Sequence, residues 1–292
     1  MRVLRVFDPW KNPLCTCPRK LVLHPYTGCS HFCLYCYATS YIGRRPSTPK
    51  KGFLKSLIKD LSKPLDDYPF VELSTSSDPY PPEESMYLLT RKTIELLASR
   101  KINILITTKS NLVVRDIELL RQTNSAVMIT ITTLDESIAK IIEPGAPSPR
   151  DRLEVIEKLS EAGIPVGARI DPIIPFVNDD EASLRELVNN VIEAGGRHIV
   201  TSTYKAKPDS FRRLATAFPE LHTKLRELYY EKGVLVHGYR YLPRDLRRRI
   251  LHSVIDEAVK KGISAAVCRE GLPELFKAPS CDGSHMLWST KR

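Results

Sequence analysis

The sequence predicts an α/β fold, a partial (β/α)6 TIM-like barrel with a helical C-terminal extension. Six short apolar runs rich in β-branched residues alternate with helical patterns, and the alternation stops near Tyr204. The first observation gives parallel strands buried on both faces, the second gives helical crossovers, and the third gives six units rather than eight.

The runs are Leu21–His24, Phe70–Leu73, Ile102–Thr107, Val127–Ile131, Val166–Ile170 and His198–Thr201. Each is apolar at nearly every position, as a strand covered on both sides must be. The segment 88–99 carries Leu89, Ile94, Leu96 and Leu97 at helical spacing. The segment 152–162 carries Leu153, Val155, Ile156 and Leu159 and ends at Gly163, a residue suited to close a helix. The segment 180–194 repeats the device before Gly195 and Gly196. Beyond Tyr204, residues 211–218, 219–232 and 244–261 read as helices, and the tail from Gly262 reads as irregular. The expected division is an N-terminal segment 1–19 with a CxC pair, a core 20–205, and an extension 206–292 with two cysteines.

The chain has 292 residues, enough for one large α/β domain with an appended part. No repeat of solenoid type and no low-complexity tract stands out. No apolar run approaches the roughly 20 residues that span a bilayer. The N-terminus lacks the apolar core of a signal peptide, so a cytoplasmic location is expected. Net charge is +10, from 44 Lys and Arg against 34 Asp and Glu. Such a surface favours polyanions, although a solvated mixed-charge surface would read the same way.

Five of the seven cysteines crowd the N-terminal part: Cys15, Cys17, Cys29, Cys33 and Cys36, with Cys268 and Cys281 far behind. Clustered thiols without a signal peptide point to metal ligands rather than disulfides. Cys29, Cys33 and Cys36 follow a CxxxCxxC spacing directly after the first predicted strand, where barrel active sites lie. Three thiolates on one short loop can hold a [4Fe–4S] cluster and leave the fourth iron open. A zinc site completed by His31 or His24, or three buried structural thiols, would also suit the spacing alone.

The segment His24-Pro-Tyr-Thr-Gly-Cys-Ser-His-Phe-Cys-Leu-Tyr-Cys-Tyr37, with Tyr35 before the third cysteine, resembles the radical SAM superfamily. It is similar to the spore photoproduct lyase-like branch in particular. So are Ser76-Ser-Asp-Pro-Tyr80, Leu89-Thr-Arg91, Thr107-Thr-Lys-Ser110, Val114-Arg-Asp116, Glu143-Pro144, Arg152-Leu153, 162–166 and Pro172-Ile-Ile-Pro175. Cys268-Arg-Glu-Gly271 and Cys281-Asp-Gly283 resemble the tails of archaeal members. The resemblance implies S-adenosylmethionine (SAM) as cosubstrate, reductive cleavage to a 5′-deoxyadenosyl radical, and an electron donor of flavodoxin or ferredoxin type. It implies that Lys109, at the end of an apolar strand, pairs with the SAM carboxylate, and that Ser77 contacts SAM. Arg169 and Asp171 either pair with each other or reach SAM or substrate. Tyr35 and Tyr37 match two tyrosines of the lyase that relay hydrogen; packing against adenine and barrel is the alternative reading.

The lyase's hydrogen-donor cysteine falls on Thr75, and no cysteine lies between Cys36 and Cys268. A threonine O–H bond is too strong to donate a hydrogen atom as a thiol does, so a true spore photoproduct lyase is not expected. Cys15, Cys17, Cys268 and Cys281 form a second set of four, suited to zinc or an auxiliary [4Fe–4S] cluster. A regulatory disulfide, inert thiols or a single hydrogen donor are the alternatives. The run Arg240–Arg249, with Arg44, Arg45, Lys50 and Lys51, could track a phosphate backbone while Tyr239 or Tyr241 stacks a base. Two functions follow: a radical SAM enzyme with a substrate such as nucleic acid, or a zinc- or iron-binding nucleic-acid protein without SAM chemistry.

Overall fold

The computed structural model describes residues 2–7, 12–65 and 68–288. The remainder of the N-terminal segment and of the extension's end lies outside the described residues. The six runs form strands β1 (Leu21–Leu23), β2 (Val71–Leu73), β3 (Ile104–Thr108), β4 (Ser125–Thr130), β5 (Val166–Ile173) and β6 (His198–Thr203). They pair in parallel in that order. The sheet has eight strands. A strand from the extension, β7 (Ser264–Val267), pairs in parallel with β6, and the two-residue strand Arg5–Val6 pairs antiparallel with β1. These two form the ends of the sheet, so the barrel is open along one side.

Helices cover the outer face. They include α1 (Phe53–Leu61), α2 (Leu89–Ala98), α3 (Glu136–Ile142), α4 (Pro149–Glu161), α5 (Glu181–Glu193), α6 (Pro208–Ala217) and α7 (Arg244–Lys260). Ser148 and Asp151 form a reciprocal capping box before α4, with Pro149 at its first position. Asp180 caps α5 by accepting from the Ser183 N–H at 2.9 Å. Val155, Ile156 and Leu159 of α4 and Leu187 and Val191 of α5 pack on Ile104, Ile106, Val127, Ile129 and Ile199 of the strands. Alternate strand residues point the other way. Leu105, Ala126, Met128 and Val200 form a smaller inner core with Phe70 and with Met286 and Leu287 of the tail. Among the described residues no helix is long and apolar enough to cross a membrane.

The extension departs from expectation at two places. The helix expected over 219–232 forms, its turns passing from 3-10 through α to π between Pro219 and Glu231, but it is followed by a hairpin not foreseen, Val234–Val236 against Tyr239–Tyr241. Its two turn residues, His237 and Gly238, both have positive φ, the geometry that matches strand twist. The tail expected to be irregular supplies β7, whose Ala265 and Ala266 carry none of the branched side chains that marked the other strands.

Candidate active site

The CxxxCxxC loop leaves the C-terminal end of β1 and coils on itself. The Cys29 N–H donates to Arg45 O at 3.0 Å, that of Phe32 to Cys29 O at 3.3 Å, and that of Cys36 to Cys33 O at 3.3 Å. Gly28 sits at φ 75°, with the Pro46 carbonyl where a side chain would project. The end of α3 and the loop after it hold the coil from one side: the Leu34 N–H donates to Ile142 O at 2.8 Å and the Gly145 N–H to His31 O at 3.0 Å. Arg213 of α6 holds it from the other, donating to Leu34 O at 2.9 Å, Cys36 O at 3.0 Å and Thr39 Oγ1 at 3.0 Å.

Both ring nitrogens of His31 and the Nε2 of His24 already face other groups. His31 places Nδ1 3.0 Å from Gly145 O and Nε2 3.2 Å from Asp78 Oδ2. His24 Nε2 accepts from the Thr75 N–H at 3.1 Å and lies 3.0 Å from the Thr75 hydroxyl. Burial would raise the Asp78 carboxyl, but His31, the Thr108 hydroxyl and the Lys109 N–H hold it at about 2. Among the described residues no three His, Cys, Asp or Glu side chains surround one metal-ion position. A cubane needs none, because each iron takes a single thiolate. Three thiols on one loop, Cys33 buried and Cys29 and Cys36 half-buried, fit a cluster with one open iron. Burial pushes the Cys29 thiol up to about 11 and that of Cys33 higher; cluster binding would deprotonate both.

Lys109 follows β3, and its Nζ lies 3.9 Å from Glu143 Oε1 and 5.6 Å from the Tyr35 ring centre. Glu143 is buried, ion-paired with Arg152 Nη1 at 2.6 Å, and receives the Tyr35 hydroxyl. Burial opposes the Lys109 charge, but Cys33 and Glu143 prevail and hold the ammonium above the usual lysine range. One carboxylate, Glu143, thus serves two cations, Arg152 and Lys109.

Ser77 is buried at the turn after β2, where its carbonyl receives the Ser74 hydroxyl. The Tyr37 hydroxyl donates to Thr75 O at 2.9 Å, and its ring meets Tyr239 edge-on at 6.0 Å. Arg169 pairs with Asp171 at 2.6 Å inside the barrel, and Asp171 also receives the Ser202 hydroxyl. The paired arrangement is therefore the one present.

The second cysteine set comes together in part: Cys17 Sγ lies 3.4 Å from Cys281 Sγ. The basic run does not behave as expected throughout. Tyr239 and Tyr241 are both buried, and Arg247 is buried against Glu270 at 3.1 Å, so neither tyrosine presents a face to stack a base. Arg44, Arg45, Lys51, Arg244, Arg248 and Arg249 remain exposed. Sequence reasoning missed Arg213, whose spacing to Asp209 on α6 is that of an ordinary surface pair, and gave Glu143 and Asp78 no role.

A family model described as the Radical SAM superfamily matches residues 23–188. An uncharacterized protein of Mycobacterium tuberculosis is 29% identical over 249 residues, which cover 78% of this chain and 72% of that protein. One from Methanocaldococcus jannaschii is 34% identical over 179 residues, 60% of this chain and 68% of its own length. A spore photoproduct lyase mutant with bound AdoMet and dinucleoside spore photoproduct aligns with a TM-score of 0.66 and 18% identity, over 90% of this chain and 80% of that one. At that identity the likeness is one of fold.

Proposed function

The chain belongs to the radical SAM superfamily, and on that premise we propose that Cys29, Cys33 and Cys36 hold a [4Fe–4S] cluster beside a SAM site formed with Lys109 and Ser77, while Arg169 stays paired with Asp171. Bound together, cluster and SAM supply a 5′-deoxyadenosyl radical that removes a hydrogen atom from the substrate. The chain's own residues bind and align. Lys109, kept charged beside Glu143, receives the SAM carboxylate. Tyr35 and Tyr37 were expected either to relay hydrogen or to pack; with both hydroxyls donated to Glu143 and to Thr75 O, we read them as positioning groups. The observation that carries this reading is the three-thiol loop beside His31, whose two nitrogens face Gly145 O and Asp78, and His24, whose Nε2 faces Thr75.

The substrate class we propose is nucleic acid, supported by the +10 charge and by Arg44, Arg45 and Lys51 exposed beside the cluster loop. Thr75 stands where a hydrogen-donor thiol is expected and its hydroxyl faces His24, so the reaction is not spore photoproduct cleavage. We place the enzyme in the cytoplasm with a flavodoxin- or ferredoxin-type electron donor, the core 20–205 carrying cluster and SAM and the extension 206–292 bracing the loop through Arg213. Cys15, Cys17, Cys268 and Cys281 are read as a second metal site, for zinc or a further cluster.

Anaerobic reconstitution with dithionite and SAM tests the proposal. The expected products are methionine and 5′-deoxyadenosine, absent after Cys29→Ala, Cys33→Ala and Cys36→Ala together. No cubane absorbance in the wild type, or product formation that survives the triple substitution, would leave the alternative of a metal-binding protein without SAM chemistry.

A further inference from the structure

Four cysteines lie outside the catalytic loop, and their placement follows from the open barrel. Cys15 and Cys17 lie in the segment leading into β1, while Cys268 directly follows β7 and Cys281 lies in the tail. Those segments belong to the opposite ends of the sheet. Even so, Cys17 Sγ and Cys281 Sγ stand 3.4 Å apart across 264 residues of sequence. Cys15 also lies within sulfur contact of Cys17, with Lys20 and Arg169 nearby. Cys268 lies near both Cys15 and Cys281. Its own backbone is fixed by an N–H to Thr201 O bond of 2.9 Å.

We infer that Cys15, Cys17, Cys268 and Cys281 bind a single Zn²⁺ as a tetrahedral four-thiolate site that clasps the open edge of the barrel. This rests on reading the four thiols as a metal site, and adds which metal it is and what it does. Sulfur spacing separates the candidates. Zinc–sulfur bonds of about 2.3 Å at tetrahedral angles put neighbouring sulfurs about 3.8 Å apart, close to the 3.4 Å of Cys17 and Cys281. In a cubane each thiolate binds a different iron, and the sulfurs stand much farther apart. A disulfide would join two of the four and leave Cys15 and Cys268 unused; all four are free thiols. The described side chains do not yet enclose one point, so closure requires Cys15 and Cys268, both half-buried, to turn inward. Binding exchanges thiol protons for the metal and involves no change of oxidation state. The consequence is mechanical: β7 and β1, which do not pair, become joined through their flanking segments.

The test uses the full chain prepared anaerobically, with metal analysis and zinc X-ray absorption. The expected result is about one zinc per chain with only sulfur neighbours at about 2.3 Å, beside about four irons. Zinc should persist in the Cys29→Ala, Cys33→Ala, Cys36→Ala protein, which lacks iron. It should be lost in Cys17→Ser, Cys281→Ser protein that retains the cubane spectrum. The absorption measurement on the wild type stands alone if that variant does not fold. About eight irons without zinc would overturn the zinc assignment but keep a metal site. Neither metal beyond the first cluster, nitrogen or oxygen neighbours at the zinc, or a Cys17–Cys281 disulfide in the anaerobic protein would overturn the site itself. None of these outcomes depends on whether SAM is cleaved.

Discussion

Glu143 carries an unusual charge load for a buried carboxylate. It pairs with Arg152 at 2.6 Å and with Lys109 at 3.9 Å, and receives the Tyr35 hydroxyl. Arg152 is fixed further by Thr130 O and Pro147 O, whereas the longer Lys109 contact leaves that ammonium able to take an anion. Lys109→Met should therefore weaken SAM binding at least tenfold, the loss of a charged hydrogen bond of about 1.5–3 kcal/mol. Equilibrium dialysis of the reconstituted protein reads the affinity, and iron content should not change. Equal affinity in the two proteins would reduce Lys109 to a partner of Glu143. His24 makes a separate claim. Burial, then Lys50 and Arg5, depress its ring from 6.5 to about 3. Between those values the unfolded chain holds the extra proton, so stability falls as pH falls, by up to about 1.4 kcal/mol per pH unit from this group. His24→Gln should flatten the fall in urea midpoint between about pH 6 and pH 4.5 by about one proton. An unchanged slope would mean that His24 titrates normally in the folded protein.

At the scale of elements, the loop after α3 and the cluster loop touch backbone to backbone. A Cβ at Gly145 would overlap the Ser30 carbonyl and come within 3.0 Å of His31 Cα. Neither neighbour is the end of a flexible side chain. Gly145→Ala should thus displace the cluster loop at a cost of about 1–3 kcal/mol, with lower iron content at unchanged circular dichroism; full iron loading would show that the two loops can separate freely. This junction shows what could be read from sequence and what could not. The strands β1 to β6 were legible because their branched apolar residues meet the same requirement at every position, and α4 and α5 because their caps and periodicity are local. Cys29, Cys33 and Cys36 could be grouped as one proposed ligand set because one loop carries them all. Strand β7 was hidden because Ala265 and Ala266 owe their burial to neighbours distant in sequence. Arg213 was hidden for the same reason: its bond to Cys36 O spans 177 residues. Tyr241 and Arg247 looked like part of a basic aromatic surface, yet the hairpin and α7 turn both inward onto Glu270 and the core.

For the whole molecule, the open barrel separates two kinds of surface. Its interior is filled from one end by Met286 and Leu287, so a large substrate must approach the mouth where the cluster loop lies. Arg44 and Arg45 belong to that mouth, since Arg45 O receives the Cys29 N–H and the Arg44 guanidinium stands 5.4 Å from the Phe32 ring centre. The exposed Arg244, Arg248 and Arg249 lie instead on α7, a helix packed on α5 and β6. Charge alone does not distinguish these patches, but position does. If nucleic acid is the substrate, single-stranded oligonucleotide should bind with steep salt dependence, the slope falling by about 0.7 for each phosphate contact removed. Arg44→Ala, Arg45→Ala and Lys51→Ala together should lower that slope, while Arg248→Ala and Arg249→Ala should leave it unchanged. Gel shifts across a salt series measure both. A slope that responds only to the α7 changes would move the nucleic acid away from the cluster and make it a docking partner rather than a substrate. No binding at low salt would remove nucleic acid from the reading and leave the radical SAM chemistry in need of a different substrate at the same mouth.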